Sequence, residues 1–303
     1  MTLGIVIPVH AKTQTRVKYF EECLKSLAMQ KGEYVAVVVD DGSPKSEVIR
    51  GIVDRLGNAN VRYVFREKGQ EELHTSSNAV NYGIELLLDS SSGVLSRSEL
   101  SSLASVCYLH SDDCLPNMTV SSRSVSTSTE SFSYANMIVK DAELNTLMMA
   151  KPSKFSLRTG DGFTNHTLTW GIKFLKRVIE YNYNKYGYAN IFDPNITCNE
   201  DRDASLSTFE CAREIGVIGN NYRRMFTYIY RRQLDSITGI HGPELMKKYR
   251  DIVSEKHGLS KLHLKYYRLI QDVPWSLMTF MPEEFKSIFR PIRDYIRLSK
   301  VND

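Results

Sequence analysis

The sequence predicts an α/β fold, a mostly parallel sheet flanked by helices, followed by a small C-terminal helical subdomain. Three observations predict it. Strand-like and helix-like periods alternate four times in the first third of the chain. The strand-like runs are short, β-branched and continuously apolar, as strands buried on both faces are. After residue 240 the pattern becomes helical throughout.

The elements follow in order. "GIVIPVH" (4–10) is a first buried strand containing Pro8 and closed by His10. In 15–32, Val17, Phe20, Leu24, Leu27 and Ala28 share one helical face, and Gly32 is placed to end the helix. "YVAVVVDDGS" (34–43) is a second strand. Ser43 then suits an N-cap, with Pro44 at the first helical position. Val48, Ile49, Ile52, Val53 and Leu56 form the next apolar stripe, followed by Gly57. "VRYVFRE" (61–67) is a third strand, "SNAVNYGIELLL" (77–88) a third helix and "SVCYLHSDD" (105–113) a fourth strand. The Ser-rich stretches 89–105 and 121–133 read as surface loop or solvated helix faces. Segments 243–258, 260–273 and 282–298 are amphipathic and helical, and there is no internal repeat. Such alternation is the pattern of βαβ units.

Composition bounds the partners. The chain has 303 residues, 42% hydrophobic and 24% charged, as globular proteins do. Lys and Arg total 39 against 35 Asp and Glu, a net charge of +4. That excess is too small to point to nucleic acid, and it suits an anionic ligand such as a nucleotide. Five scattered cysteines read as reduced thiols of a cytosolic protein. Neither a secretory signal nor a membrane-length apolar run is visible. The N-x-Thr triplets at Asn117, Asn165 and Asn195 are therefore read as accidental. The expected location is the cytoplasm, with the membrane surface as the alternative.

Ligands of parallel sheets bind at the carboxyl ends of the strands. The polar groups gather there: His10, Asp40-Asp41, Arg66, and His110 to Asp113. Capping of the helix after Asp41-Gly42-Ser43 is one reading of the carboxylates. The other has Asp40 and Asp41 hydrogen-bonding a base and ribose, while Asp112 and Asp113 serve a hard divalent cation.

The residues also resemble a family. "IVIPVH", "VVVDDGSPKS", "NAVNYGIE" and "YLHSDDCLPN" are similar, in order and spacing, to the signatures of the GT-A-fold glycosyltransferases, specifically the mostly inverting family 2. The resemblance covers roughly residues 1–240. It implies a Rossmann-like GT-A catalytic domain over 1–240, with a nucleotide-binding half (1–116) and an acceptor-binding half (117–240), then a helical extension over 241–303. It implies a UDP- or GDP-sugar donor, transfer to an acceptor hydroxyl with inversion, and Mn2+ or Mg2+. Nucleotide contacts are expected from Pro8, His10, Asp40, Asp41, Arg66, Asn81, Ser111 and Asp112.

The family's D-x-D motif is matched by His110-Ser111-Asp112, and its R-N-x-G motif by Val80-Asn81-Tyr82-Gly83. His110 replaces the first acid and Val80 the arginine. The expectation is that Asp112 is the principal metal ligand and that His110 hydrogen-bonds the ribose or phosphate, or ligates the metal, favouring Mn2+ over Mg2+, with packing beside the strand end as the plain alternative for His110.

"TWGIKFLKRVIEY" resembles the acceptor-side strand and helix, and "FDPNITCNEDRDASLS" the E-D motif, Glu200-Asp201. The resemblance makes Asp201 the general base, which an inverting transfer requires. The leaving diphosphate needs its charge neutralised, the expected work of the metal. The alternative for this segment is an acidic, capped helix start. "YIYRRQLDSITG" resembles a late motif in which Arg231 and Arg232 approach the diphosphate. Gln233 stands near a position where the family often has histidine. His241 is a further candidate metal ligand, and His166 and Trp170 are candidate acceptor contacts, with core packing as the plain alternative.

A glycan, a lipid-linked or a small-molecule acceptor suits this reading. In 283–298, Phe285, Ile288, Phe289, Ile292, Tyr295 and Ile296 form one face bordered by basic residues. That face offers peripheral membrane contact, homodimer contact or packing on its own domain. A non-catalytic nucleotide-sugar-binding protein is the rival of another class. A sugar-phosphate nucleotidyltransferase is disfavoured, because "PVHAKTQTR" lacks the glycine-rich loop such enzymes carry after the first strand.

Overall fold

A computed structural model describes residues 1–67, 76–150, 165–233 and 242–259. Among them eight strands form one sheet: β1 (Thr2–Val9), β2 (Tyr34–Asp41), β3 (Val61–Arg66), β4 (Leu103–Tyr108), β5 (Phe132–Lys140), β6 (Thr146–Ala150), β7 (Thr169–Gly171) and β8 (Asn220–Arg231). The order is β3-β2-β1-β4-β7-β5-β6, with β8 paired to β5. β1 to β4 are mutually parallel. β7 runs antiparallel to both β4 and β5, so it stitches the second half of the chain into the same sheet.

The helices are α1 (Gln14–Ala28), α2 (Ser46–Leu56), α3 (Ser76–Leu88), α4 (Arg97–Ser102), α5 (Thr119–Ser126), α6 (Ile172–Tyr186), α7 (Glu200–Glu214) and α8 (Gly242–Lys256). A 3₁₀ turn spans Asn165–Thr167. Strand side chains alternate between two cores, as the pleat requires. Leu3, Ile5 and Ile7 pack with Phe20, Leu24 and Leu27 of α1 on one face. Val6, Val37 and Val39 pack with Ile84 and Leu87 of α3 and Phe174 of α6 on the other. Gly83 is required there, because a Cβ at that position would overlap the Val6 Cγ1 methyl.

Some local expectations change. α1 ends at Ala28, capped by Met29, before reaching Gly32. α2 begins at Ser46, with Lys45 rather than Ser43 at its cap. Ser43 is drawn away by tertiary bonds: its Oγ accepts from the Ala11 N–H at 2.9 Å, and its own N–H donates to Asp40 Oδ1 at 2.9 Å. The Ser-rich stretch before β4 holds α4, started by a Ser96–Glu99 capping box. Of the three C-terminal amphipathic segments, the first is α8 and the other two lie outside the described residues. No helix among the described residues is long and apolar enough to cross a membrane. All five cysteines are buried free thiols.

Candidate active site

The parallel register aligns the carboxyl ends of β1 to β4 along one edge. Val9 lies opposite Asp40, Asp41 opposite Arg66, and Val6 opposite Tyr108. The polar residues that follow these strands therefore meet.

At the β1–β2–β3 end, Arg66 pairs with Asp41 Oδ1 at 2.5 Å, as the cross-strand register allows. Arg66 also lies over the Tyr82 ring at 5.9 Å. His10 Nδ1–H donates to the Asp41 carbonyl at 2.9 Å, fixing the imidazole tautomer. Pro8 is buried in β1 opposite Val39, beyond the last β4-paired residue, Val6. Asp40 is structural. It is fully buried, its Oδ1 holds the Ser43 N–H, and its Oδ2 accepts from the Tyr63 hydroxyl at 2.9 Å. Asn81 is likewise turned inward from its expected nucleotide contact. Its amide brackets the backbone of Phe192, donating to the carbonyl at 2.9 Å and accepting from the N–H at 3.1 Å. That clamp fixes the segment leading into α7.

At the β4 end, His110, Ser111, Asp112 and Asp113 form a turn closed by Asp113 N–H to the His110 carbonyl at 3.0 Å. Asp113 is buried, and burial followed by the charge of Asp112 raises its pKa well above the ordinary carboxylate range. Its oxygens accept from the Tyr228 hydroxyl and the Arg231 N–H, both at 2.7 Å, which ties β8 to this turn. Asp112 Oδ2 accepts from Arg16 Nη1 and from Gln233 Nε2, each at 2.5 Å. The His110 ring meets Tyr108 and His166 edge-on, at centroid distances of 5.2 and 5.3 Å. Burial lowers its pKa despite the opposing pull of Asp112 and Asp201.

A divalent cation wants several convergent oxygen or nitrogen donors. Among the described acidic side chains at this strand end, only Asp112 Oδ1 is not already bonded within the fold, too few donors to hold a cation without oxygens from the ligand itself. Asp112 Oδ2 already carries two N–H donors, and both oxygens of Asp113 are committed. The amide of Gln233 presents its nitrogen, a donor, to the carboxylate. No group of three or more His, Cys, Asp or Glu side chains among the described residues is arranged to hold a metal. His241 lies outside the described residues.

The remaining candidates divide. Arg231 has a fully buried side chain on Glu22 Oε2 at 2.6 Å and over the Tyr19 ring at 4.1 Å. It holds β8 against α1 and does not line the sheet edge. Arg232 follows β8, half-buried, its N–H donating to the Lys140 carbonyl. Trp170 is core: it is fully buried, donates to Thr208 Oγ1 at 2.9 Å and stacks on Tyr108. His166 is at the site. It stacks on Tyr228 and Tyr230, and its Nε2 lies 3.4 Å from Asp201 Oδ2. Burial lowers its pKa to about 4, with His110 adding to the shift and Asp201 opposing it.

Glu200 and Asp201 open α7 after Asn199, whose φ of 62° turns the chain sharply into the helix. Glu200 Oε1 accepts from Ser76 Oγ at 3.1 Å. Burial and the neighbouring Asp201 raise its pKa to about 7. The native state therefore holds a proton on Glu200 between about pH 4.5 and 7 that the unfolded chain releases, so this group's contribution to stability falls as pH rises through that window. Glu200→Gln is expected to melt with the wild type at pH 5 and above it at pH 8, as checked by thermal unfolding at both pH values.

Sequence reasoning missed Arg16, Tyr63 and Tyr228. All three lie inside regular apolar or amphipathic patterns, where no local signal marks a side chain as facing the site.

The sheet order, the parallel first half and the antiparallel β7 define the α/β GT-A class of fold. No protein-family model matches the sequence, and no curated protein sequence is significantly similar to it. Solved structures are. S. aureus TarS residues 1–349 in complex with UDP-GlcNAc superposes with a TM-score of 0.51 at 15% identity, over 84% of this chain and 66% of that one. The same segment in complex with UDP gives 0.51 at 14% identity, over 98% and 89%. A further S. aureus TarS structure gives 0.51 at 14%, over all of this chain and 54% of that one. The chain thus spans just under two thirds of the first of these structures and about half of the last. At such identities the likeness establishes the fold.

Proposed function

We propose that this chain is a glycosyltransferase that moves a sugar from a UDP- or GDP-sugar to an acceptor hydroxyl, with inversion and with Asp201 as general base. One observation carries the reading. The His110–His166 ring contact joins the turn that bears Asp112 to the helix start that bears Asp201. A donor phosphate at the β4 end and an acceptor at α7 would then share one site at the sheet's ligand edge.

The proposed roles follow from placement. Asp41, paired with Arg66 and held through its carbonyl by His10, faces the nucleoside. Arg232 stands at the same edge as a phosphate contact. Asp201 takes the acceptor proton as the hydroxyl attacks the anomeric carbon, and His166 orients it as a neutral ring. Glu200, held by Ser76, supports the helix start. The domain division at 240 belongs to this proposal, as does the choice among glycan, lipid-linked and small-molecule acceptors.

The test is a thermal-shift panel of UDP- and GDP-sugars. A ligand at a hundred times its Kd stabilises the native state by about 2.7 kcal/mol, so a true donor raises the melting temperature measurably. A flat panel sinks the proposal. Asp41→Ala is expected to weaken binding of the preferred nucleotide by about 1.5–3 kcal/mol, the scale of a hydrogen bond to a charged group. Calorimetry showing unchanged affinity removes Asp41 from the nucleoside pocket.

A further inference from the structure

We propose that Arg16 is the cation facing the donor's diphosphate, in the place expected of a divalent metal, and that Asp112 and Gln233 position it. The proposal rests on the nucleotide-sugar reading above. Arg16 lies in the first turn of α1, directly after β1, and Asp112 lies directly after β4. Because β1 and β4 are adjacent and parallel, both segments meet at the ligand edge. Arg16 Nη1 and Gln233 Nε2 converge on the same Asp112 oxygen, each at 2.5 Å. Asp112 Oδ2 is thereby shared by two N–H donors, which holds the guanidinium in one place.

Charge and access point the same way. Of the expected metal ligands His110, Asp112 and His241, the two within the described residues bring a single carboxylate, that of Asp112. The side chains of Arg16 and Asp112 are 23% and 22% exposed, so a ligand can reach them. Arg231, by contrast, is fully buried on Glu22, and Arg66 lies at the β3 end beside Asp41, away from Asp112. A guanidinium presents five donors in a planar fork that matches phosphate oxygens, and it keeps its charge at any working pH. Bonded through Nη1 to Asp112, it is oriented toward the leaving diphosphate as charge builds there.

The experiment is calorimetric titration of UDP, GDP and the parent nucleosides into the full chain, with EDTA and with excess MnCl2. The proteins are the wild type, Arg16→Met and Arg16→Lys, each checked for folding by circular dichroism. The preferred nucleoside diphosphate is expected to bind the wild type in EDTA within about twofold of its affinity in Mn2+. Arg16→Met should lose about tenfold or more in both conditions, with nucleoside binding unchanged. Arg16→Lys, which keeps charge and reach but not the fork, should lose less, and it carries the test if the Met variant does not fold. Diphosphate binding that requires Mn2+ and ignores Arg16 overturns the proposal. An equal loss for nucleoside and diphosphate overturns it too, since that marks a structural role. If neither UDP nor GDP binds the wild type in either condition, the glycosyltransferase reading itself falls and takes this one with it.

Discussion

Asp201→Asn is expected to leave donor binding intact and to lower sugar transfer by about two orders of magnitude or more, the usual scale of general-base catalysis. Asparagine keeps the shape of the side chain and can still accept the Arg202 N–H that now bonds Oδ1 at 2.8 Å. It cannot take a proton from an attacking hydroxyl. His166 is stacked on Tyr228 and Tyr230, which hold its ring in place. The measurement pairs labelled-sugar transfer with nucleotide titration on the same preparation. Near-normal turnover would remove Asp201 from the role, and lost nucleotide affinity would mean that the substitution damages the donor site instead.

The sheet was legible in the sequence because its strands are buried on both faces. "GIVIPVH" and "YVAVVVDDGS" are continuous apolar runs with clear ends, and β1 and β2 follow them. The gathering of polar groups at strand ends was legible for the same reason: the apolar run stops where the ligand edge begins. The division of labour among those groups was not. Asp40 and Asp41 are adjacent and identical in type, yet one is enclosed by Ser43 and Tyr63 while the other faces Arg66. The pleat makes that choice, because neighbouring residues on a strand point to opposite faces. Arg231 and Arg232 part in the same way, the first inward to Glu22. Asn81, Trp170 and Asp113 carry polar atoms that are bonded within the fold, and the partners that bond them, Phe192, Thr208 and Tyr228, are distant in sequence. No short-range pattern records such pairings. The role of Asp203 was hidden similarly, since its partners arrive from α8, more than fifty residues later.

Asp203→Ala is expected to cost about 3–5 kcal/mol of stability, the scale for removing one partner from a buried ion pair. Asp203 is fully buried, two residues along α7 from Asp201. Its carboxylate accepts from Lys256 Nζ at 2.9 Å and from His257 Nε2 at 2.8 Å, both at the end of α8. Lys256 also reaches Asp193 at 2.8 Å, and the other ring nitrogen of His257 lies 3.1 Å from Glu210. Arg202 adds bonds to the Arg250 carbonyl and Ser254 Oγ, each at 3.1 Å, so α8 is fastened to the buried side of the helix that carries the proposed base.

The network has a definite pH signature. Burial alone would lower the pKa of His257, but its hydrogen bonds to Asp203 and Glu210 outweigh burial and raise it. Burial likewise opposes Glu210, whose bonds from His257, Tyr186 and Lys185 bring its pKa down to about 2. The histidine contribution is therefore complete below its unfolded value of about 6.5 and fades as pH rises through the raised folded value. The Glu210 contribution is present above about 4.5 and fades as pH falls towards 2. Wild type and Asp203→Ala should accordingly differ more at pH 5.5 than at pH 9, as measured by urea unfolding of the full chain at both. Because α7 begins at Glu200-Asp201, the variant should also lose transfer activity at temperatures below its own melting point. Equal stability of the two proteins at pH 5.5 would mean that α8 is not fastened to α7 through this carboxylate.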